Sequence, residues 1–365
     1  MGCQIKILAK IMYRPNLQIS NLKWSYLHQK KILIIGPTAG LGGVRTHVEH
    51  LQSIFGNDAF KVKLVQGNST LATFIEYLRF KPDVVIHNLS VYQKELLRIV
   101  LNRCILFLHS AKHILHLHGG RFHELGFLTH PIFKKMMAFH FKRYDRIFCL
   151  TEEQYATMLS LTKHKNTIRK IYNYVEIPDK SELVKEKNNL NLLFLWRLTV
   201  KKGVMDAVKA VKKIRNDNLR LWIVGEGELK GEILKNCDPR IRVEGKKNGA
   251  EKKEYLQKAA ILILPSSWPE GLPYAMLEAA AYGAALIGTN VGSVGKILLN
   301  EVNGFFIEPG NINMLTDVIQ KFLDNPELAN KMGKESYRIC KRLFSIEHLI
   351  KIYADLFIKW EFDIK

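Results

Sequence analysis

The sequence predicts an α/β chain of two domains, each an open sheet with helices between its strands. Three observations carry this. At 365 residues the chain has room for two domains of ordinary size, each with its own core. Short, largely apolar runs recur, as at 31–36, 219–224 and 261–264, and such runs read as buried strands. The first and last of these are followed by a turn rich in glycine or proline and then by a helical stretch, the alternation that builds parallel sheets with crossover helices.

Composition narrows the class. No stretch reaches the ~20 apolar residues of a membrane span, and Lys6, Lys10 and Arg14 interrupt the opening apolar residues, which lack the layout of a secretory signal. The five cysteines, Cys3, Cys104, Cys149, Cys237 and Cys340, are scattered without metal-type pairing and fit a reducing cytosol. Net charge is +21, and the excess lies in the first half: residues 1–180 carry 26 Lys and Arg against 11 Asp and Glu, the rest 29 against 23. A basic half suits anionic partners, whether lipid headgroups, a lipid-linked pyrophosphate or nucleic acid; the plain alternative is charge kept for solubility. No basic strand face interleaved with aromatics and no nucleic-acid motif occurs, which disfavours nucleic acid.

In chain order, residues 1–30 form a basic, apolar extension. A strand at 31–36 leads into a glycine-rich loop, 37–43, and a helix with Val44, His47, Val48 and Leu51 on one face. That layout is the dinucleotide-binding one, but the glycine spacing is not G-x-G-x-x-G and no P-loop lysine follows. Strands are predicted at 83–87 and 114–118, the second ending in His116-Leu-His118-Gly119-Gly120. His116 and His118 share a face, so a two-histidine metal site comes into question; no third ligand stands nearby in sequence, and no metal is assigned. Arg121 and His123 follow on the loop. A helix at 131–143, a strand at 145–151 and a helix starting at Thr151-Glu152 complete the first domain. The polar run 179–189 is the linker.

The second domain opens with a strand at 192–198, then Thr199-Val-Lys-Lys-Gly203 and a helix. Arg197 and Lys202, a guanidinium and an ammonium at a strand end, suit a diphosphate. A strand at 219–224 closes on Gly225-Glu-Gly227, and 242–245 follows. The most informative stretch runs from Pro265 to Gly288: a loop with Pro269, Glu270, Gly271 and Pro273, a helix over 274–282 with Pro273 at its first position and Gly283 at its end, and a strand from Ala284. Glu278 falls on the exposed side of that helix. The last stretch, 346–360, reads as a helix with Leu349, Ile352, Tyr353 and Leu356 on one face.

Glu270-Gly-Leu-Pro-Tyr-Ala-Met-Leu-Glu278-Ala, with Tyr282-Gly283, resembles the nucleotide-sugar signature of the group 1 retaining glycosyltransferases. The resemblance is strongest over 191–310 and extends weakly back to residue 31. It implies the GT-B fold: two Rossmann-like domains facing across a cleft, an acceptor domain at 31–178, a donor domain at 190–345, and a helix at 346–365 crossing back to the first domain. It implies that Glu270 meets the donor sugar, Glu278 the ribose, and Gly271, Leu272 and Pro273 the nucleotide sugar. It places Gly42 and Gly43 against the donor phosphates, His118 in the cleft near the sugar, and Arg197 and Lys202 on the diphosphate. Ile171-Tyr-Asn-Tyr-Val-Glu-Ile-Pro178 resembles the family's connector, and Asn303-Gly-Phe-Phe-Ile-Glu-Pro-Gly310 matches well. Four positions depart: Tyr174 and Glu176 in the connector, Trp196 where the family has glycine, and Lys296 where it has glutamate.

The implied activity is hexosyl transfer with retention from a UDP or GDP sugar to a glycan or lipid-linked acceptor, in lipopolysaccharide or capsule synthesis. The donor is a substrate and no cofactor is expected; the chain has no Asp-x-Asp, so a metal-independent reaction is expected. The location implied is cytoplasmic, peripheral on the inner face of the membrane. Alternatives are a GT-B sugar-nucleotide epimerase or hydrolase and, more remotely, a basic nucleic-acid-binding protein.

Overall fold

A computed structural model of the chain describes residues 30–37, 43–56, 60–66, 70–90, 111–119, 130–183, 190–235 and 238–362. The extension at 1–29, Gly42, Gly120, Arg121 and His123 lie outside the described residues.

Two six-stranded parallel sheets form the frame. The first contains β1 (Lys30–Gly36), β2 (Phe60–Gln66), β3 (Val84–Ser90), β4 (Lys112–His118), β5 (Arg146–Cys149) and β6 (Ile168–Lys170), in the order β2-β1-β3-β4-β5-β6. Its helices are α1 (Gly43–Phe55), α2 (Thr70–Phe80), α3 (Pro131–Phe141) and α4 (Glu152–Thr162). The second contains β7 (Asn191–Leu195), β8 (Arg220–Val224), β9 (Ile241–Gly245), β10 (Ile261–Leu264), β11 (Ala285–Thr289) and β12 (Gly304–Ile307), in the order β12-β11-β10-β7-β8-β9. Its helices are α5 (Val204–Lys213), α6 (Lys230–Lys235), α7 (Gly249–Lys258), α8 (Tyr274–Ala281), α9 (Ile312–Asp324) and α10 (Pro326–Leu343). This is the α/β architecture of two doubly wound domains.

The apolar runs are unbroken because both sheet faces are covered: Ile32, Leu33 and Ile34, like Ile261 through Leu264, are fully buried. Each sheet reverses direction once, the first between β1 and β3, the second between β7 and β10. At such a reversal neighbouring crossovers leave in opposite directions and open a crevice at the strands' carboxyl ends. The chain therefore builds one crevice in each domain.

Two crossings of the chain join the domains. Val175, on the outward connector, donates its amide to the Phe344 carbonyl at 2.9 Å, and Ile346, on the return, donates to the Val175 carbonyl at 2.9 Å. Beyond this pin, α11 (Ile346–Phe362) packs Leu349, Tyr353, Leu356 and Phe357 into the core of the first domain, against Ile32, Ile34, Val48 and Phe55. Among the described residues no helix is long and apolar enough to cross a membrane.

Two local readings need correction. Pro273 is not the first helical residue of α8 but the residue before it, with extended backbone (φ −67°, ψ 123°); its ring fixes φ while the helix begins at Tyr274. The strand expected at 192–198 ends at Leu195. The chain turns at Trp196, whose ring packs edge-on to Phe194 (5.6 Å) and onto the cores flanking the sheet. Trp196 thus points into its own domain, and Arg197 sits in the turn.

Gly333 on α10 lies against Gly283: a Cβ there would stand 2.1 Å from the Gly283 carbonyl oxygen, a backbone atom unable to give way. Gly333→Ala is expected to destabilise by roughly 1–3 kcal/mol. Gly231→Ala on α6, where a Cβ meets nothing within 4 Å, should be neutral or stabilising by under ~1 kcal/mol. Urea denaturation of the two variants checks the contrast; equal effects would mean the helix contact at Gly333 is not tight.

Candidate active site

The carboxyl ends of β7 and β10, the two strands at the reversal of the second sheet, carry the charged groups. After β7 the chain passes Arg197 and Lys202; after β10 comes the loop with Glu270. Lys202 Nζ and Glu270 Oε1 pair at 2.5 Å with side chains only 16% and 10% exposed, and the Ser266 hydroxyl donates to the same oxygen at 2.8 Å. Sixty-eight residues separate the two, and the sheet order alone makes them neighbours. Removing such a pair from water is costly unless further hydrogen bonds share the charge, and Ser266 supplies one.

Backbone contacts hold this loop. Ser293 donates its amide to the Glu270 carbonyl at 2.8 Å. Gly292, at φ +59°, approaches so closely that a Cβ would lie 2.0 Å from that carbonyl oxygen; only glycine combines this backbone angle with that approach. The Ser266 hydroxyl also lies 3.1 Å from the Lys201 carbonyl, and the Lys201 ammonium sits 3.8 Å from the centre of the Trp268 ring, a cation–π contact. Arg197 is exposed, and among the described residues it forms no ion pair. The pairing therefore divides the two cations: Lys202 is tied to Glu270 and Arg197 stands open.

Glu278, read from sequence as exposed, is half-buried. Its side chain is 15% exposed and pairs with Lys252 of α7 at 2.7 Å. Lys252 has no sequence signal: it is one of several lysines in a charged helix. Lys296 lies exposed in a short turn, its backbone amide donating to the Ser293 carbonyl at 3.1 Å.

The first domain faces this loop with glycines and histidines. A Cβ on Gly271 would meet the backbone of Gly119 at 3.5 Å, and one on Gly43 would meet the Tyr274 ring at 3.1 Å. So Gly43 and Gly119 face the signature segment at backbone distance. His118, at the end of β4, is buried and its Nε2 lies 3.2 Å from the Asn88 carbonyl oxygen. His116 Nε2 lies 2.5 Å from the Tyr353 hydroxyl of α11, and His47 Nδ1 lies 3.0 Å from the Tyr274 hydroxyl. Burial pushes the His118 ring down to about 3; it also holds His116 and His47 well below the ordinary histidine range, with neighbouring imidazoles adding to the effect. All three rings are neutral near pH 7. Burial, then the charge of Glu278, raises the Tyr274 phenol well above its usual range, so it keeps its proton.

These three histidines also form a metal-capable group, with one ring nitrogen from each within 4.8 Å of the others. The sequence offered two of them; the third ligand, absent nearby in sequence, is His47, brought in by α1. The span is looser than the ~3.3 Å between ligands of a tetrahedral zinc at its usual bond lengths. Each ring already spends one nitrogen on a side-chain oxygen, as metal-ligating histidines do, and His47 Nε2 is buried without a partner. Leu272 is buried, and its backbone carbonyl accepts from the Asn173 side-chain Nδ2 of the connector at 2.6 Å, which ties the interdomain segment to the signature loop.

Comparison with known proteins agrees with this layout. The family model for glycosyl transferases group 1 matches residues 176–339. An uncharacterized glycosyltransferase of Methanocaldococcus jannaschii is 28% identical over 261 residues, covering 68% of this chain and 69% of that protein. An Escherichia coli UDP-Gal:alpha-D-GlcNAc-diphosphoundecaprenol alpha-1,3-galactosyltransferase is 27% identical over 183 residues, 47% of this chain and 46% of the relative. Among solved structures, HepE of Anabaena in complex with UDP and glucose superposes with a TM-score of 0.72 at 14% identity, covering 90% of this chain and all of that one. Its likeness concerns the fold, the GT-B pair of domains across a cleft. The family model for group 1 glycosyl transferases thus falls on the signature-bearing second domain, and the architecture of the whole chain is shared with the solved structure.

Proposed function

We propose that the chain transfers a hexosyl residue, with retention, from a nucleotide-diphosphate sugar to a glycan or lipid-linked acceptor, on the cytoplasmic side of a membrane and in the building of a surface polysaccharide. The observation that carries this is the pairing of Lys202 with Glu270 at the reversal of the second sheet, with the unpaired Arg197 in the same loop as Lys202. A diphosphate leaving an anomeric carbon gains negative charge as the bond breaks, and fixed cations there stabilise it. Glu270 accepts hydrogen bonds from sugar hydroxyls while its pairing with Lys202 keeps the carboxylate oriented. Glu278 accepts from the ribose hydroxyls, steadied by Lys252. His118, neutral and buried beside Asn88, can serve the sugar as a hydrogen-bonding group rather than as a cation.

The acceptor class is supported by the Escherichia coli relative, whose name gives an acceptor linked to diphosphoundecaprenol. The donor is supported by the UDP in the Anabaena structure, which makes uridine donors the first to test. The leaving phosphate is the base that takes the acceptor's proton: no second carboxylate is needed on the opposite face of the sugar.

A thermal-shift panel of UDP and GDP sugars tests the donor reading, since ligand that binds only the folded state raises its melting temperature. The donor that stabilises the parent chain should bind Glu278→Ala about tenfold to a hundredfold more weakly, the loss of a charge-assisted hydrogen bond. Unchanged affinity would remove Glu278 from the nucleotide site.

Steady-state kinetics with that donor separate the two cations. Lys202→Ala and Arg197→Ala should each lower kcat by on the order of a hundredfold, with a smaller rise in KM, because a cation at the leaving group acts most strongly on the transition state. Full turnover in Arg197→Ala alone would leave the clamp to Lys202; full turnover in both would overturn the assignment of this strand end.

In the same assay EDTA should leave turnover unchanged. Activity lost to EDTA and restored by Mg²⁺ or Mn²⁺ would show that a metal ion, not these two cations, bears the leaving charge.

A further inference from the structure

Helix α3 has an apolar side that nothing in the described fold covers. Met137 and Phe141 are buried against the first sheet with Leu115, Leu117 and Ile147. Ile132, Phe133, Met136 and Phe139 are 72%, 49%, 38% and 61% exposed. Ile132, Met136 and Phe139 follow the i, i+4, i+7 spacing of a single stripe, and Ile132 and Phe139 lie ~140–160° around the helix from Met137. Neighbouring helices of the same layer flank α3 at its sides; they do not lie over this outward face. Single exposed apolar residues are ordinary, but a contiguous stripe marks a surface that meets something.

The charge on and beside the stripe points to one occupant. Residues 131–143 contain Lys134, Lys135, Lys142 and Arg143 and no acidic residue. The three lysines are exposed, and the Arg143 guanidinium stacks 4.0 Å from the centre of the Phe139 ring. Lys135 and Lys142 flank the stripe on one side, and a helix with bulky apolar groups on its outer side and cations at the edge is built to lie in a headgroup layer. A second copy of the chain fits less well: a two-fold contact would press the same lysines against their own counterparts. Position agrees. In a parallel sheet the crossover helices start on the side of the strands' carboxyl ends, so Pro131, Ile132 and Phe133 lie on the side of the sheet where β4 ends at His118.

We propose that the outer face of α3 is a docking surface for an anionic lipid bilayer, with Ile132, Phe133, Met136 and Phe139 inserted among the acyl chains and Lys135 and Lys142 on the headgroups. A bilayer held there presents a lipid-linked acceptor on the cleft side of the first domain. The docking itself does not depend on which sugar is transferred, or on transfer at all.

Flotation of the full chain with vesicles tests this. The parent chain should float with mixed phosphatidylcholine–phosphatidylglycerol vesicles, float far less with phosphatidylcholine alone, and lose binding as salt rises. The double variant Ile132→Ser, Phe139→Ser should bind the mixed vesicles about tenfold or more weakly, and each of Lys135→Ala and Lys142→Ala roughly fivefold more weakly. Leu234→Ser, an exposed apolar position of the second domain, should bind as the parent does. Phe139→Trp should bind and show a blue-shifted emission on mixed vesicles, a readout that requires the ring itself to leave water. Unchanged melting temperatures confirm that the serine variants stay folded. The proposal is overturned if the parent ignores mixed vesicles, if the serine pair binds them like the parent, or if light scattering shows a dimer that the serine pair abolishes, which would assign the stripe to a second copy.

Discussion

Glu270 is held by side chain and by backbone at once, and the loops of the second domain's crevice are arranged around it. Its carboxylate meets Lys202 from the loop after β7 and Ser266 from the loop after β10; its carbonyl accepts the amide of Ser293 from the loop after β11. Gly292 makes the last contact possible by having no side chain. Three loops from three adjacent strands are thereby locked together at the sheet's carboxyl edge. Sites that must stabilise charge at a fixed point benefit from groups already in place, because no reorganisation is left to be done when the charge develops.

The first domain meets this assembly with two glycines and, on Tyr274, with the rings of His47 and His50. A Cβ on Gly271 would touch the Gly119 backbone and one on Gly43 would crowd the Tyr274 ring, so the approach at these two points depends on glycine. Behind the glycines lies a buried polar chain: Tyr274 to His47, the rings of His47, His116 and His118 packed 4.6–6.1 Å apart, and His116 to Tyr353. Its ends belong to the signature helix and to the helix that returns to the first domain. Any change in the angle between domains acts on this chain, on the Asn173–Leu272 hydrogen bond and on the Val175–Phe344–Ile346 pin. The rings are neutral, so these are hydrogen bonds between uncharged groups, modest in strength and suited to being remade.

The elements themselves were largely legible in the linear chain. Runs such as 32–35 and 261–264 are uniformly apolar because their strands are covered on both faces, and Thr151 announces a helix because its hydroxyl caps the amide of Gln154. The local misreadings have local causes. Leu198 looks like the end of a strand because it is apolar; it is buried beneath the turn that carries Arg197, not in the sheet. Glu278 looks exposed because helical periodicity weighs only its own helix, whereas α7 lies alongside and supplies Lys252.

What the sequence determined by itself was therefore whatever depends on a few consecutive residues: strands, caps, turns, and the spacing of Glu270, Pro273 and Glu278 along one loop and helix. What only the tertiary structure decided was which of these meet. Lys202 and Glu270 lie 68 residues apart, and His47 and Tyr274 lie 227 apart. Their contacts follow from sheet order and from the direction of each crossover, not from any local pattern. The same holds for α3: an apolar helix reads as core from either side, and only its seat on the sheet shows which apolar residues were left facing outward.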